Sequence, residues 1–153
     1  MNYWNEYGIA LWENGFTVVP IIPPDSPRPK AGKRPAFEDW QKIENTRGQI
    51  NGFVKKYASS GIGILTKHTP AVDIDVYDKD GVKHMMAVVE KKIGAGPVRV
   101  GRQPKKLVLC HTDEPFKKVK SATWEDDFGQ RHAVEILGDG QQFVAFGVHP
   151  DTR

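Results

Sequence analysis

The sequence has 153 residues, of which 39% are hydrophobic and 10% aromatic, and its formal net charge is +3. This length corresponds to about one domain, and four Trp, four Tyr and seven Phe supply enough large side chains to exclude a disordered chain. A single cysteine excludes an intrachain disulfide and a zinc site made of cysteines alone. No apolar run is long enough to span a bilayer and no signal peptide opens the chain, so we expect a soluble cytoplasmic domain without a membrane partner.

The first third of the chain predicts two helices, one strand and a loop. Residues 4–12 carry apolar side chains at helical spacing, and Gly15 is placed to end that helix. Residues 17–22 form an apolar run that indicates a strand, which Pro20 restricts to an edge or breaks. The proline- and lysine-rich residues 23–35 predict a loop.

The rest of the chain predicts an α/β or α+β domain with a mixed sheet. A second helix is expected from an Asn45 or Thr46 cap to about Tyr57, and a third from Asp78 or Asp80 to a stop at Gly94. Strands are expected over residues 61–66, 71–77, 98–100, 105–112, 116–124, 132–138 and 141–149. The segment Leu-Gly-Asp-Gly-Gln-Gln at 137–142 predicts a hairpin turn between the last two strands.

Asp73 and Asp75 flank Ile74 inside an apolar strand, so both carboxylates are expected on one face of the sheet. Two like charges on a largely buried strand are unfavourable unless a cation lies between them, and Mg²⁺ or Mn²⁺ fits such oxygen ligands. The alternative is a pair of acids at the solvated end of a strand. Glu135 lies within another apolar strand, and if that strand neighbours the first, three carboxylates converge into a two-metal platform. Its alternative is an outward-facing Glu paired with Arg131 or a nearby lysine.

Cationic side chains fall into three clusters. Gly101 and Pro104 predict a turn between two strands, where cations can meet a phosphate; the cations are Arg99, Arg102, Lys105 and Lys106. A second cluster lies in the proline-rich loop and consists of Lys30, Lys33 and Arg34. The third cluster, Lys117, Lys118 and Lys120, is expected to be a solvated face. His149 ends an apolar strand, where it can contact a phosphate or base or be an ordinary loop histidine.

Four segments, in order, resemble the N-terminal domain of bifunctional DNA primase/polymerases, the prim-pol branch of the archaeo-eukaryotic primase superfamily. They are ALWENGFTVVPIIP, GKRPAFEDW, GIGILT followed by AVDIDVYD, and VEILGDGQQFVAFGVHPDT. The resemblance covers nearly the whole chain. It implies a mixed-sheet catalytic core related to the RNA-recognition-motif fold, together with a small N-terminal α/β unit. We therefore expect residues 1–153 to be one prim-pol catalytic domain, excised from a longer chain.

The resemblance also implies a chemistry and its residues. Asp73, Asp75 and Glu135 would hold two Mg²⁺ or Mn²⁺ ions for template-directed transfer of a nucleotide to a 3′-hydroxyl in phage or plasmid replication. The nucleoside triphosphate would be bound by Arg102, Lys105, Lys106 and His149, and single-stranded DNA by Lys30, Lys33, Arg34 and Arg99. A replicative helicase is an expected partner, in the same chain or separate. Many relatives carry a histidine on the strand that contacts the triphosphate, whereas this chain has Gly-Arg-Gln-Pro-Lys-Lys at 101–106, so Arg102 or Lys105 would replace it.

Three other functions use the same residue pattern. A nucleotide- or nucleic-acid-binding domain could keep this fold without turnover, and the missing histidine favours that alternative. A metal-dependent nuclease would use the same three acids with the same basic surround. A glycosyltransferase with an Asp-x-Asp motif comes third, because the chain is short and lacks a sugar-nucleotide-binding half.

Overall fold

The structure, a computed structural model, describes residues 2–148 of the chain. The chain divides into two compact units. The first unit combines Met1–Leu65 with Gln142–Arg153, and the second unit is Thr66–Gln141. None of the helices in the described part is long and apolar enough to cross a membrane.

The first unit opens with a π-helical turn, Trp4–Gly8, which continues into α1, Ile9–Glu13. Beyond the helix, Gly15 adopts φ +87° and the Phe16 N–H donates to the carbonyl of Leu11. A left-handed glycine followed by this backward hydrogen bond satisfies carbonyls that the helix end leaves free. The predicted stop at Gly15 is confirmed.

Helix α2, Arg47–Lys56, begins at a reciprocal capping box. The Thr46 hydroxyl accepts a hydrogen bond from the Gln49 N–H, and the Gln49 side chain accepts one from the Thr46 N–H. Asn45, the other predicted cap, has a different role, because its amide bonds both the N–H (2.6 Å) and the carbonyl (3.1 Å) of Val18. Asn45 therefore ties the start of α2 to the first strand.

Three antiparallel strands form the sheet of the first unit: β1, Val18–Ile21; β2, Gly61–Leu65; and β9, Gln142–Phe146. The order is β1-β2-β9. A Cβ atom on Gly63 would lie 2.8 Å from Cδ1 of Ile21, closer than side chains pack. The glycine-rich strand therefore lets the sheet pack closely against its own core. That core is Val19, Ile21 and Leu65, covered by Phe37, Trp40 of the 3-10 turn Trp40–Lys42, Ile43 and Val144.

The second unit is a six-stranded sheet with one helix. Its elements are β3, Ala71–Asp75; α3, Lys79–Lys92; β4, Val98–Val100; β5, Lys106–Leu109; β6, Val119–Lys120; β7, Trp124–Glu125; and β8, Arg131–Leu137. The strand order is β4-β5-β3-β8-β6, and β7 also pairs with β8. The four-strand core β4-β5-β3-β8, with α3 as the β3-to-β4 crossover, has the order of an RNA-recognition-motif sheet.

The fold confirms the predicted α+β class and its primase-like core, but its sheets differ from the predicted mixed sheet. Every ladder between the named strands is antiparallel, and the Lys117–Asp139 bridge is an isolated parallel contact. The α3 crossover does bring β3 and β4 into the same direction. Strand β5 then lies between them, so neither strand has a parallel neighbour.

Helix α3 covers one face of this sheet. The Asp78 carboxylate caps the helix by accepting from the Gly81 N–H, and Gly94 at φ +109° follows its end, as predicted. The core between helix and sheet consists of Val72, Ile74, Val76, Val82, Val89 and Val108. Because side chains alternate along a strand, Asp73 and Asp75 project from the face that α3 leaves uncovered.

Two sequence predictions for the end of the chain are wrong. The expected strand 116–124 is two short strands, β6 and β7, because Ser121 breaks it: the Ser121 hydroxyl accepts from the Val134 N–H, beside the Ser121 N–H bond to the Val134 carbonyl. Residues 137–142 do form a turn, but not a hairpin. β8 is already paired on both edges, by β3 on one side and by β6 and β7 on the other, so β9 pairs with β2 in the other unit.

Candidate active site

One row of directly paired residues crosses five strands on the uncovered face of the second unit. From β4 to β6 the row is Arg99, Leu107, Asp73, Glu135 and Lys120. Directly paired residues of antiparallel strands project to the same face, with Cβ atoms about 4.5–5.5 Å apart. The register therefore brings two acids together at the centre of the sheet and a cation to each side of them.

Asp75 extends this acidic face by one step along β3, where it pairs with Ala133 of β8. Strands β3 and β8 are neighbours. The sequence predicts that the three carboxylates converge if these two strands are adjacent. Within residues 2–148, however, no three Asp, Glu, His or Cys side chains stand close enough to form a metal-holding group. We find instead that cationic side chains contact the carboxylates of Asp75 and Glu135.

The Asp73 carboxyl has a perturbed pKa. Burial raises its pKa above the ordinary value for aspartate, and the neighbouring charges of Asp75 and Glu135 raise the pKa further. The positive charges of Arg99 and Lys105 oppose that shift without cancelling it. Ionisation of Asp73 is therefore less favourable in the folded protein than in a free aspartate.

Asp75 forms an ion pair with Lys105, the residue that precedes β5. The Lys105 ammonium also donates to the Tyr77 hydroxyl and lies 3.8 Å from the centroid of the Tyr77 ring. Burial acts to lower the Lys105 pKa, but the contacts with Asp75 and Tyr77 outweigh it, so the pKa is raised. Lys105 is therefore a fixed positive charge on the acidic face.

Two lysines contact Glu135. Lys118 Nζ lies 2.7 Å from Glu135 Oε2, and Lys120 Nζ lies 3.6 Å from Glu135 Oε1. These lysines are exposed, as predicted, but Lys118 and Lys120 also pair with Glu135, because β6 pairs with β8 at this point. Lys117 is the exception, since its ammonium pairs with Asp139 at 3.0 Å. The sequence could not place the first two, because the pairing of β6 with β8 is not a local property.

Arg99 lies half-buried at the β4 end of the row. A Cβ atom on Gly101 would lie 2.8 Å from Nη1 of Arg99, so glycine leaves the room that the guanidinium occupies. Burial lowers the Arg99 pKa below its ordinary value, while the negative charge of Asp73 acts to raise it. Arg99 therefore lies beside the acidic face, and its contact with nucleic acid stays a prediction.

The remaining predicted phosphate ligands are distributed differently. Arg102 is exposed in the turn between β4 and β5. Lys106 pairs with Ile74, so its side chain projects to the α3 side of the sheet, away from the acids. His149 lies outside the described residues. Of the consecutive lysines Lys105 and Lys106, the structure brings only the first together with the carboxylates.

The predicted loop of the first unit is an ordered turn structure. The Ile22 N–H donates to the Arg34 carbonyl and the Gly32 N–H donates to the Ile22 carbonyl, each at 2.8 Å, which closes the loop at its base. Lys30 adopts φ +58°, and the Gln142 amide donates to the Lys33 carbonyl at 2.9 Å. The side chains of Lys30, Lys33 and Arg34 are exposed. The loop thus presents the predicted cations from a defined backbone.

The donor set of the acidic face fits Mg²⁺ or Mn²⁺. These hard cations prefer carboxylate oxygens, and Asp73, Asp75 and Glu135 supply only such ligands. Asp75 Oδ1 is buried, and the cation that contacts it is the Lys105 ammonium. The pKa of Asp73 is raised because Arg99 and Lys105 do not offset its burial and its two acidic neighbours. A bound divalent cation would supply further positive charge beside this carboxyl.

Beside this face lies a histidine network that the sequence did not reveal. His132 is buried, and its Nδ1 accepts a hydrogen bond from the Tyr77 N–H at 3.1 Å. The proton therefore belongs on Nε2, which donates to Asp126 at 3.1 Å. Trp124 stacks on the imidazole, with ring centroids 5.5 Å apart. The network fixes the β7–β8 hairpin, whose tip carries Phe128 with 95% of its surface exposed.

The fold and the acidic face define an α+β domain of the primase-like class. The chain belongs to the family of bifunctional DNA primase/polymerase N-terminal (Prim-Pol) domains, because the sequence model of that family matches residues 8–153. No curated protein sequence matches the chain with significance. Membership confirms the resemblance noted in the sequence and connects the chain with DNA primase and polymerase function. It implies a nucleotidyltransferase-type enzyme whose substrates are DNA and nucleotides, in a family that generally depends on metal ions.

Proposed function

We propose that this domain catalyses template-directed transfer of a nucleotide from a nucleoside triphosphate to a 3′-hydroxyl, in the replication of phage or plasmid DNA. The observation that carries the proposal is the cross-strand pairing of Asp73 with Glu135, with Asp75 one step along the same face. Such a concentration of negative charge opposes folding, and a nucleotidyl-transfer site is a reason to retain it.

Asp73, Asp75 and Glu135 would hold two Mg²⁺ or Mn²⁺ ions. When bound, the ions would activate the attacking hydroxyl and stabilise the pyrophosphate leaving group. The carboxylates themselves orient the site, because all three are fixed to neighbouring positions of two paired strands. Their combined charge also requires cationic neighbours, which Arg99 and Lys105 provide.

Lys105 is the proposed replacement for the histidine that many relatives use. Its contacts with Asp75 and Tyr77 hold a protonated ammonium at the edge of the acidic face, where it can neutralise a triphosphate oxygen. Arg99 supplies a second cation from the other end of the row, and Arg102 a third from the adjoining turn. Lys106 is not included, because its side chain projects to the opposite side of the sheet.

The template strand is assigned to the basic loop of the first unit. Lys30, Lys33 and Arg34 are exposed on a backbone that hydrogen bonds hold in one conformation. Cations on an ordered loop can contact successive phosphates of single-stranded DNA without sequence preference. A replicative helicase, in the same chain or separate, remains the proposed partner protein.

Primer extension tests the proposal. The wild-type protein with Mn²⁺, a primed template and all four nucleotides is compared with the double variant Asp73→Ala/Asp75→Ala. We expect incorporation by the wild type, a loss of at least about a hundredfold in the double variant, and no loss in Asp127→Ala, which removes an exposed acid elsewhere. Equal incorporation by the wild type and the double variant would contradict the proposed function.

The same assay separates the two alternatives that share this site. Labelled DNA incubated with Mn²⁺ but without nucleotides is degraded by a nuclease and left intact by a polymerase. A binding domain without turnover would bind nucleotide and template but extend nothing.

A further inference from the structure

The carboxylates of the acidic face have cationic partners of their own within the described part of the chain. Asp75 pairs with Lys105, and Arg99 is the cation of the row that acts on Asp73. Glu135 has two partners, Lys118 and Lys120, one near each carboxylate oxygen. Two ammonium groups on one carboxylate exceed what charge balance requires. This excess is the observation from which the inference begins.

We infer that Lys118 and Lys120 are exchangeable counter-ions, which bind Glu135 in the metal-free protein and bind the polyphosphate of a nucleotide once a divalent cation occupies the acids. The inference rests on the proposed function and adds two polyphosphate ligands to it. These ligands come from the strand on the far side of Glu135 from Asp73, in a cluster that sequence alone assigns to solvent.

Electrostatics requires the exchange. An ammonium at 2.7 Å from Glu135 Oε2 competes with a divalent cation for the negative charge of that carboxylate. The Lys118 ammonium and a divalent cation would repel each other strongly at this carboxylate, because water screens charges poorly there: only 19% of the Glu135 side chain is exposed. Binding of a cation at Glu135 therefore drives the lysines away, and a polyphosphate beside the cation is the nearest anion that can receive them.

The two lysines are free to make that movement. Their side chains are 35% and 53% exposed, for Lys118 and Lys120 respectively, so each ammonium can turn about its own stem without repacking a core. They lie in and beside β6, a two-residue strand at the edge of the sheet. Lysine is also suited to the role, since it binds phosphate as a point charge and requires no fixed bidentate geometry.

Lys117 provides a matched control within the same segment. It is the immediate neighbour of Lys118, has the same charge and pairs with Asp139 instead of Glu135. Its side chain is 82% exposed. The variants Lys117→Met and Lys118→Met therefore have the same net charge and nearly the same position in the chain, and only the second alters the partner of Glu135.

Two titrations test the inference. The first measures Mn²⁺ binding without nucleotide, from the electron paramagnetic resonance signal of the free ion. The second measures binding of a non-hydrolysable deoxynucleoside triphosphate by calorimetry at saturating Mn²⁺. For Lys118→Met we expect Mn²⁺ to bind about three- to tenfold more tightly and the nucleotide about tenfold more weakly. Lys117→Met should change neither by more than about twofold.

Opposite signs in the two titrations are the signature of an exchanged counter-ion. The Lys118→Met/Lys120→Met double variant should enlarge both effects, and Lys118→Arg should restore most of the nucleotide affinity. In a Glu135→Gln background the gain in Mn²⁺ affinity from Lys118→Met should vanish, because Lys118 and Mn²⁺ then have no carboxylate at position 135 to compete for. Thermal denaturation of each variant without ligands checks that the fold is retained.

The inference is overturned if Lys118→Met behaves as Lys117→Met, or if it changes both affinities in the same direction. That failure differs from a failure of the proposed function. If Mn²⁺ binds the wild type and Asp73→Asn weakens it while Lys118→Met has no effect, only the inference falls. If Mn²⁺ does not bind the wild type, or binds Asp73→Asn equally well, the proposed metal site falls and the inference with it.

Discussion

Asp73 of β3 lies directly opposite Glu135 of β8 in an antiparallel ladder, although both side chains are acids. Like charges in this position destabilise a sheet, and burial of Asp73 adds to the cost. Arg99, Lys105 and the lysines of β6 reduce that cost without removing it, because the pKa of Asp73 stays raised. The acidic face is thus a place where the protein gives up stability, as binding and catalytic sites often do.

Asp73→Asn should stabilise the metal-free protein at neutral pH. A carboxyl whose pKa is raised on folding favours folding at acid pH, and this contribution is lost as pH rises through the folded-state pKa. The variant carries no such charge, so its melting temperature should exceed that of the wild type by about 2–4 °C, the shift that 1 kcal/mol makes in a domain of this size.

The difference should shrink at a pH below the ordinary pKa of aspartate, because Asp73 is then neutral in both folded and unfolded chains. Melting curves at the two pH values, without divalent cations, measure it. Asp113→Asn removes an exposed acid outside the site and should not reproduce the effect. A wild type that melts above Asp73→Asn at neutral pH would contradict the prediction.

Lys105 and Lys106 should differ sharply although they are adjacent. Lys105 contacts Asp75 on the acidic face, whereas Lys106 pairs with Ile74 and projects to the other side. We expect Lys105→Met to raise the KM for nucleotide about tenfold or more, the loss of one charge-assisted phosphate contact. Lys106→Met should leave the KM within about twofold.

Steady-state kinetics of primer extension give both values, and Lys105→Arg should recover part of the loss. Because the contacts of Lys105 raise its pKa, its ammonium stays charged through neutral pH. The KM for nucleotide should therefore depend on pH in the same way in the wild type and in Lys105→Arg. Equal KM values for the two methionine variants would exclude Lys105 as the phosphate ligand.

The basic loop should set the salt dependence of DNA binding. Each phosphate contact with single-stranded DNA contributes a slope of about −0.7 to the logarithm of affinity against the logarithm of salt concentration. Lys30→Ala/Arg34→Ala should therefore weaken binding and reduce the slope by about 1.4. Fluorescence anisotropy with a labelled oligonucleotide measures both quantities. Lys91→Ala/Lys92→Ala removes two exposed charges at the end of α3, and an equal change there would show that net charge alone is responsible.

Local sequence signals predicted the parts of this fold that depend on near neighbours. The capping residue Thr46, the stop at Gly15 and the strand that carries Asp73 each follow from side chains within a few positions. The partners of the acids could not be predicted in this way. Lys118 meets Glu135 only because β6 pairs with β8, and that register depends on the connection formed by residues 121–130.

The same reason explains the errors at the end of the chain. A turn at 137–142 was correctly expected, but turn chemistry does not decide which strands pair on either side of it. Alternation along a strand, in contrast, is a local property, and it separates Lys105 from Lys106 once the register of Ile74 with Lys106 is known. Sequence patterns therefore predicted the three acids and two of the cations near them, Arg99 and Lys105, but not the contacts of Lys118 and Lys120 with Glu135.

The His132 network should stabilise the second unit without contributing to metal binding. Asp126 accepts hydrogen bonds from the Gln130 and Phe128 N–H groups and from His132, and these lower its pKa, with the Gln130 bond the largest cause. Asp126→Ala leaves the buried Nε2–H of His132 without this acceptor, so the urea midpoint should fall. Because a lowered pKa gives stability that is lost as pH falls through the folded-state value, the deficit of the variant should disappear in acid.

Phe128→Ser is the matched control in the same hairpin, since 95% of the Phe128 surface is already exposed. Its free energy of unfolding should stay within about 0.5 kcal/mol of the wild type. Quenching of Trp124 fluorescence by the stacked imidazole gives a local readout of the network, which Asp126→Ala should reduce and Phe128→Ser should not. Mn²⁺ affinity should be the same in both variants, because the hydrogen bonds of Asp126 go to Phe128, Gln130 and His132 and not to a site acid. A loss of Mn²⁺ affinity in Asp126→Ala alone would instead connect His132 to the acidic face through the Tyr77 backbone that it holds.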